Sequence, residues 1–98
     1  MSNRPDPTRS VTIQVPVYVP DYGVAWAWPM DHPLSVRVHP GEVVIEGDKI
    51  ALRTLAELLL TLSEPDTPSS FHFHLEASKG DLTPESVNLV FDHDEWDE

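Results

Sequence analysis

Between Val11 and Val19 the side chains alternate without a break. Val11, Ile13, Val15, Val17 and Val19 face one way, and Thr12, Gln14, Pro16 and Tyr18 the other. A period of two is the pattern of a half-buried β-strand. Pro16 has no N–H for a ladder, so it puts this strand at a sheet edge or interrupts it. A second alternation opposes Leu34, Val36 and Val38 to Ser35, Arg37 and His39, and runs into Pro40-Gly41, a tight-turn signal. Glu42 to Glu46 returns with Val43 and Ile45 inward, so residues 34–46 predict a β-hairpin.

The period then changes. Asp48 is a sound N-cap, because its carboxylate can accept the unpaired N–H groups of a first helical turn. From Ile50 to Leu62, Leu52, Leu55, Leu59 and Leu62 recur at helical spacing, with Ala51, Ala56 and Leu58 widening the stripe. Ser63-Glu64-Pro65 ends the helix. The run Leu58-Leu59-Leu60 is broader than one stripe needs. Either the helix is sunk in its own core, or Leu60 is exposed or meets another chain.

After a polar, proline-rich loop the chain reads FHFHLE, and the period is two again. Phe71, Phe73 and Leu75 face the helix; His72, His74 and Glu76 face away. A loop with the turn Lys79-Gly80-Asp81 and a Thr83-Pro84-Glu85 signal for at most one helical turn leads to a last strand, 86–92. There Val87, Leu89 and Phe91 point inward. Residues 20–33 are irregular, with Trp26 and Trp28 two apart. These indoles either cover the open edge of a small core or form an exposed pair in a binding loop.

The count predicts an α+β fold in two layers: about five mainly antiparallel strands and one amphipathic helix on one face, in the order β-β-β-α-β-β. The other face is left to water or a partner. The expected organisation is a flexible N-terminus over 1–10, a single domain over 11–92 and an acidic tail over 93–98.

Composition narrows the function. With 98 residues there is room for one core, and 40% apolar residues are too many for a wholly disordered chain. No cysteine is present, which removes disulfides and thiolate metal cages. Seventeen acids against six bases give a net charge of -11. Such a surface repels nucleic acid and anionic membranes and attracts basic proteins. The N-terminus has no apolar run, and the expected location is the cytoplasm. Five of the acids lie in Asp92 to Glu98, a run that reads as a solvated tail or as a strip for a basic partner. In the second case Asp94 and Glu95 supply charge and Trp96 an apolar anchor.

His72-x-His74 is the candidate chemistry. Two histidines on one strand can chelate Zn²⁺ if a third ligand arrives from a neighbour, but no residue in the sequence is marked as that ligand. Arg37, His39, Glu42 or Glu46, and Asn88 share the face if the registers hold. No nucleophile elbow, phosphate loop or zinc-protease helix is present, and an open sheet face offers little of an enzyme's concave pocket. The reading is therefore a binding protein that is no enzyme and has no cofactor.

The run Gly47-Asp48, Leu52, Leu55-Ala56, Leu59, Leu62, then His72-x-His74-Leu75, then Leu82 and Ser86-x-x-Leu89 resembles a family of small bacterial immunity proteins, the thirty-second in the polymorphic-toxin classification. The likeness covers roughly residues 42–92. It departs from the expected pattern at Glu85, where glycine is expected, and at Ala51-Leu52 in place of Gly-Leu. It implies a protein that neutralises a cognate toxin by occlusion. On this view Arg37, His39, His72, His74 and Glu76 meet a basic toxin domain, and Asp94, Glu95 and Trp96 reinforce them. The expected state is a monomer or weak homodimer. The alternatives are a homo-oligomeric accessory or structural protein and a histidine-based metal or small-molecule module. The imidazoles can also make recognition pH-sensitive.

Overall fold

The computed structural model describes residues 7–93. The acidic tail from Asp94 onward, with Glu95 and Trp96, and the first six residues of the expected lead-in lie outside them. The order is β1 (Tyr18–Val19), β2 (Gly23–Val24), β3 (Ser35–His39), β4 (Glu42–Glu46), α1 (Lys49–Ser63), β5 (His72–Leu75), a 3₁₀ turn (Ala77–Lys79) and β6 (Leu89–Asp92). Among the described residues this is α+β, one α-helix with six short antiparallel strands, close to the predicted order. The strands form three separate two-stranded ladders, β1-β2, β3-β4 and β5-β6, where one sheet was expected.

The first alternation is the main departure. Residues 11–17 join no ladder, and only Tyr18 and Val19 pair, with Val24 and Gly23. Pro16 interrupts the strand, and its carbonyl accepts from the Thr61 hydroxyl at 2.7 Å. The segment is thus bonded to α1. Thr61 is fully buried, and its single hydroxyl hydrogen is shared with the Glu57 carbonyl at 3.0 Å.

Helix α1 begins where the cap chemistry says. Asp48 Oδ1 accepts from the Ala51 N–H at 2.9 Å, and the Glu64 N–H closes the other end on the Thr61 carbonyl. Its buried side is Ala51, Leu58, Thr61 and Leu62, with Leu55 half-buried. Leu52 and Leu59, expected in the core, are 47% and 42% exposed. The buried side is centred about 70° from the leucine stripe, with Leu55 and Leu62 common to both. Small Ala51 allows this offset: its Cβ lies against Gly47, and Leu34 closes on the same spot.

The core joins that helical side to Leu34, Val36, Phe73, Leu75 and Leu82. Four rings run through it edge to face: Tyr18 on Phe71, Phe71 on Phe73, and Phe73 on Trp26, with centroids 5.1–5.7 Å apart. Trp26 and Trp28 pack against the core, so they cover it rather than project from a loop. Trp28 Nε1 donates to the His32 carbonyl. The start of β3 is stapled to the β5-β6 connection. The Leu34 N–H donates to the Asp81 carbonyl, and the Leu34 carbonyl accepts from the Thr83 N–H. The Thr83-Pro84-Glu85 signal becomes a turn closed by the Ser86 N–H on the Thr83 carbonyl. The last strand is shorter than expected, and Val87 before it is exposed rather than inward.

Candidate functional site

The β3-β4 hairpin turns at Pro40-Gly41, where Gly41 has φ +82°, a conformation other residues rarely adopt. The register pairs Ser35 with Glu46, Val36 with Ile45, Arg37 with Val44, Val38 with Val43 and His39 with Glu42. Residues directly opposite share a face. One face is therefore Ser35, Arg37, His39, Glu42, Val44 and Glu46. Arg37 Nη1 donates to Glu46 Oε1 at 2.7 Å, an exposed pair worth at most about 1 kcal/mol. His39 and Glu42 are exposed at the turn end.

The other face is apolar throughout. Val36 is buried, but Val38 is 60%, Val43 57% and Ile45 38% exposed. Val43 and Ile45 were expected inward. The five-residue strands span about 17 Å, and only the Leu34–Val36 end joins the core cluster. The turn end projects past it. A signal was available: Val43-Val44-Ile45 is unbroken, so Val44 puts an apolar residue between the glutamates of the polar face and weakens the alternation of β4.

In the second hairpin Phe73 and Leu75 are buried while His72 and His74 are exposed, as the pattern of FHFHLE requires. The imidazoles meet edge to face with centroids 4.8 Å apart. His72 pairs across the ladder with Asp92 and His74 with Val90. His72 Nδ1 lies 3.2 Å from the Ser70 carbonyl. Among the described residues no group of three or more His, Asp or Glu side chains could hold a metal ion. Glu76 is half-buried where the 3₁₀ turn starts, and its N–H donates to Asp81 Oδ2. Asn88 Oδ1 accepts from the Ala77 N–H.

These residues occupy two ladders, with Arg37 and His39 on one and His72, His74 and Glu76 by the other. Among the described residues no hydrogen bond or ion pair joins the two groups. Asp94, Glu95 and Trp96 lie outside the described residues. Among the described residues there are three shallow cavities, one of them, about 500 Å³, at the start of α1 over residues 47–50 and Leu52. A second, about 500 Å³, lies between Trp28–Pro33 and Ala77–Pro84. Another, about 400 Å³, is lined by Val11, Ile13, Leu52, Ala56 and Leu60 on the outer side of α1. Leu60 is exposed there, one of the two positions the sequence left open for it.

Two carboxylates are shifted. Asp48 is held below the usual aspartate range by the Ala51 N–H and then by His32, whose Nδ1 is 2.6 Å from Oδ2. Glu85 is lowered by its own backbone N–H and the Thr83 hydroxyl. Both serve local structure. No helix of the described residues is long and apolar enough to cross a membrane.

Comparison with known families gives one result. The model of the family described as Immunity protein 32 matches residues 42–94, just over half the chain. No curated protein and no solved structure matches. The matched span runs from the first residue of β4 through α1 and both strands of the histidine hairpin.

Proposed function

The chain belongs to the Immunity protein 32 family, and from that premise we propose that it neutralises a cognate bacterial toxin by binding and occluding it, without chemistry of its own. The family match is the observation that carries the reading. The charge of -11 favours a basic toxin domain as the partner, since opposite charge speeds encounter and raises the on-rate. Arg37, His39, His72, His74 and Glu76 are the proposed contacts on the hairpins, with Asp94, Glu95 and Trp96 from the tail.

The test is protection. Cells carrying the toxin domain encoded beside this gene are expected to grow only when the chain is co-expressed. The purified pair should form a stoichiometric complex, with an association rate that falls as salt rises. Growth arrest despite full expression of the soluble chain would sink the reading. A complex that forms while the toxin stays active would sink occlusion alone.

A further inference from the structure

We propose that the outer edge of β4 is a docking site for an extended basic strand of the partner, added antiparallel to Glu42–Glu46. The identity of that partner as a toxin rests on the immunity reading; the site itself rests on four observations.

First, among the described residues β4 pairs with β3 alone. In an antiparallel ladder every second residue aims its N–H and C=O away from its neighbour. Along five residues β4 therefore presents, on the side away from β3, a row of backbone groups with no strand partner among the described residues. Second, the edge is guarded by the charge of its two glutamates alone, which repels acidic strands and admits basic ones. It carries no proline, no lysine and no bulge, and every residue but Val44 is exposed. Third, the apolar face beside it, Val38, Val43 and Ile45, is uncovered. Alternating side chains of an added strand would continue that face and bury it. Fourth, the polar face of β4 has an acid at each end, Glu42 and Glu46.

Charge selects the occupant. If β4 paired antiparallel with β4 of a second copy about Val44, Glu42 of each chain would face Glu46 of the other. Like charges directly opposite destabilise a ladder, and two chains of -11 repel as wholes. A strand with lysine or arginine opposite Glu42 and Glu46, and apolar residues opposite Val43 and Ile45, satisfies every position. The cation already on this face, Arg37, lies one strand further in and is held by Glu46.

The probe is a nine-residue peptide of alternating lysine and valine. Its control has the same composition, with five lysines followed by four valines. Added to the full chain, the alternating peptide is expected to shift backbone NMR resonances saturably at 42–46 and to slow exchange of alternate amides there. The block peptide should bind at least tenfold more weakly. Val43→Lys should weaken the alternating peptide at least tenfold. Glu42→Lys, which leaves the apolar face intact, should do so to a smaller extent and at low salt only. Equal binding of the two peptides, shifts centred on other segments, or insensitivity to both substitutions overturns the site. So does a free chain whose size grows with concentration through 42–46, since the occupant is then a second copy.

Toxin protection separates the two ideas. Protection by wild type that Val43→Lys retains in full removes the edge site and leaves the immunity reading. Wild type that gives no protection, yet takes the alternating peptide on β4, removes the immunity reading and leaves the edge site.

Discussion

Replacing Gly47 with alanine adds one methyl group at the most crowded of the four glycines, against the core. The new Cβ would lie 2.6 Å from Leu34 Cδ2 and 3.0 Å from the Ala51 Cβ. Comfortable carbon contacts begin near 3.5 Å, so the first separation is short by roughly 1 Å. The Leu34 methyl must shift within a fully buried site, and Ala51, also fully buried, is fixed by the helix that Asp48 caps. The backbone of Gly47 is not in the left-handed region, so no conformational strain accompanies the change. Two magnitudes then oppose each other. Alanine for glycine stabilises by about 0.4–1 kcal/mol through the unfolded chain, and an extra methyl in a packed core costs about 1–3 kcal/mol. The difference spans about 0–2.6 kcal/mol, and a contact short by roughly 1 Å puts the loss in the upper half of that range, above about 1.3 kcal/mol. Urea unfolding with a fixed m-value measures it. The origin is checked by Leu34→Val, which shortens the side chain that collides. The double variant should be more stable than the sum of the single losses by at least about 0.5 kcal/mol. A Gly47→Ala protein as stable as wild type, or strict additivity with Leu34→Val, refutes the packing argument.

Thr61→Val keeps the side-chain shape but removes the hydroxyl bonded to the Pro16 carbonyl; leaving that acceptor without its partner should cost about 1–3 kcal/mol, and limited proteolysis should cut 11–17 sooner, whereas unaltered stability and cleavage would show that this bond does not hold the segment. Asp48 is depressed in the folded chain, so its contribution is full above the unfolded aspartate value of about 3.9 and is lost as pH falls through the lower folded value. Asp48→Asn, which can still cap, should flatten the acid limb of the urea midpoint against pH; an unchanged acid slope would count against the assignment.

Much of the backbone was legible in the order of residues. The hairpin around Pro40-Gly41, the capped helix and the strand of FHFHLE all follow from local causes. A turn needs a residue tolerant of positive φ, a helix start needs an acceptor, and period two or 3.6 states which side chains share a face. The phenylalanine side of His72–Leu75 was unambiguous because its polar side holds imidazoles. For the candidate site, the exposure of His72 and His74 was legible by the same reasoning, and the net charge is sequence arithmetic.

Which face is buried is a different kind of question, and tertiary packing answered it. In Glu42–Glu46 the apolar side was marked by Val43 and Ile45, but the length of the hairpin beyond the core left them and Val38 in solvent. In α1, stripes through Leu52 and Leu59 or through Ala51 and Leu58 are equally helical. The close approach that Gly47 and Ala51 permit to Leu34 selected the second. Strand formation by 11–17 required a partner strand, and the segment is bonded instead to α1, through the Pro16 carbonyl and Thr61, 45 positions away. Local periodicity determines a conformation because it depends on neighbours along the chain. Burial depends on what arrives from elsewhere, and only the assembled core supplies that.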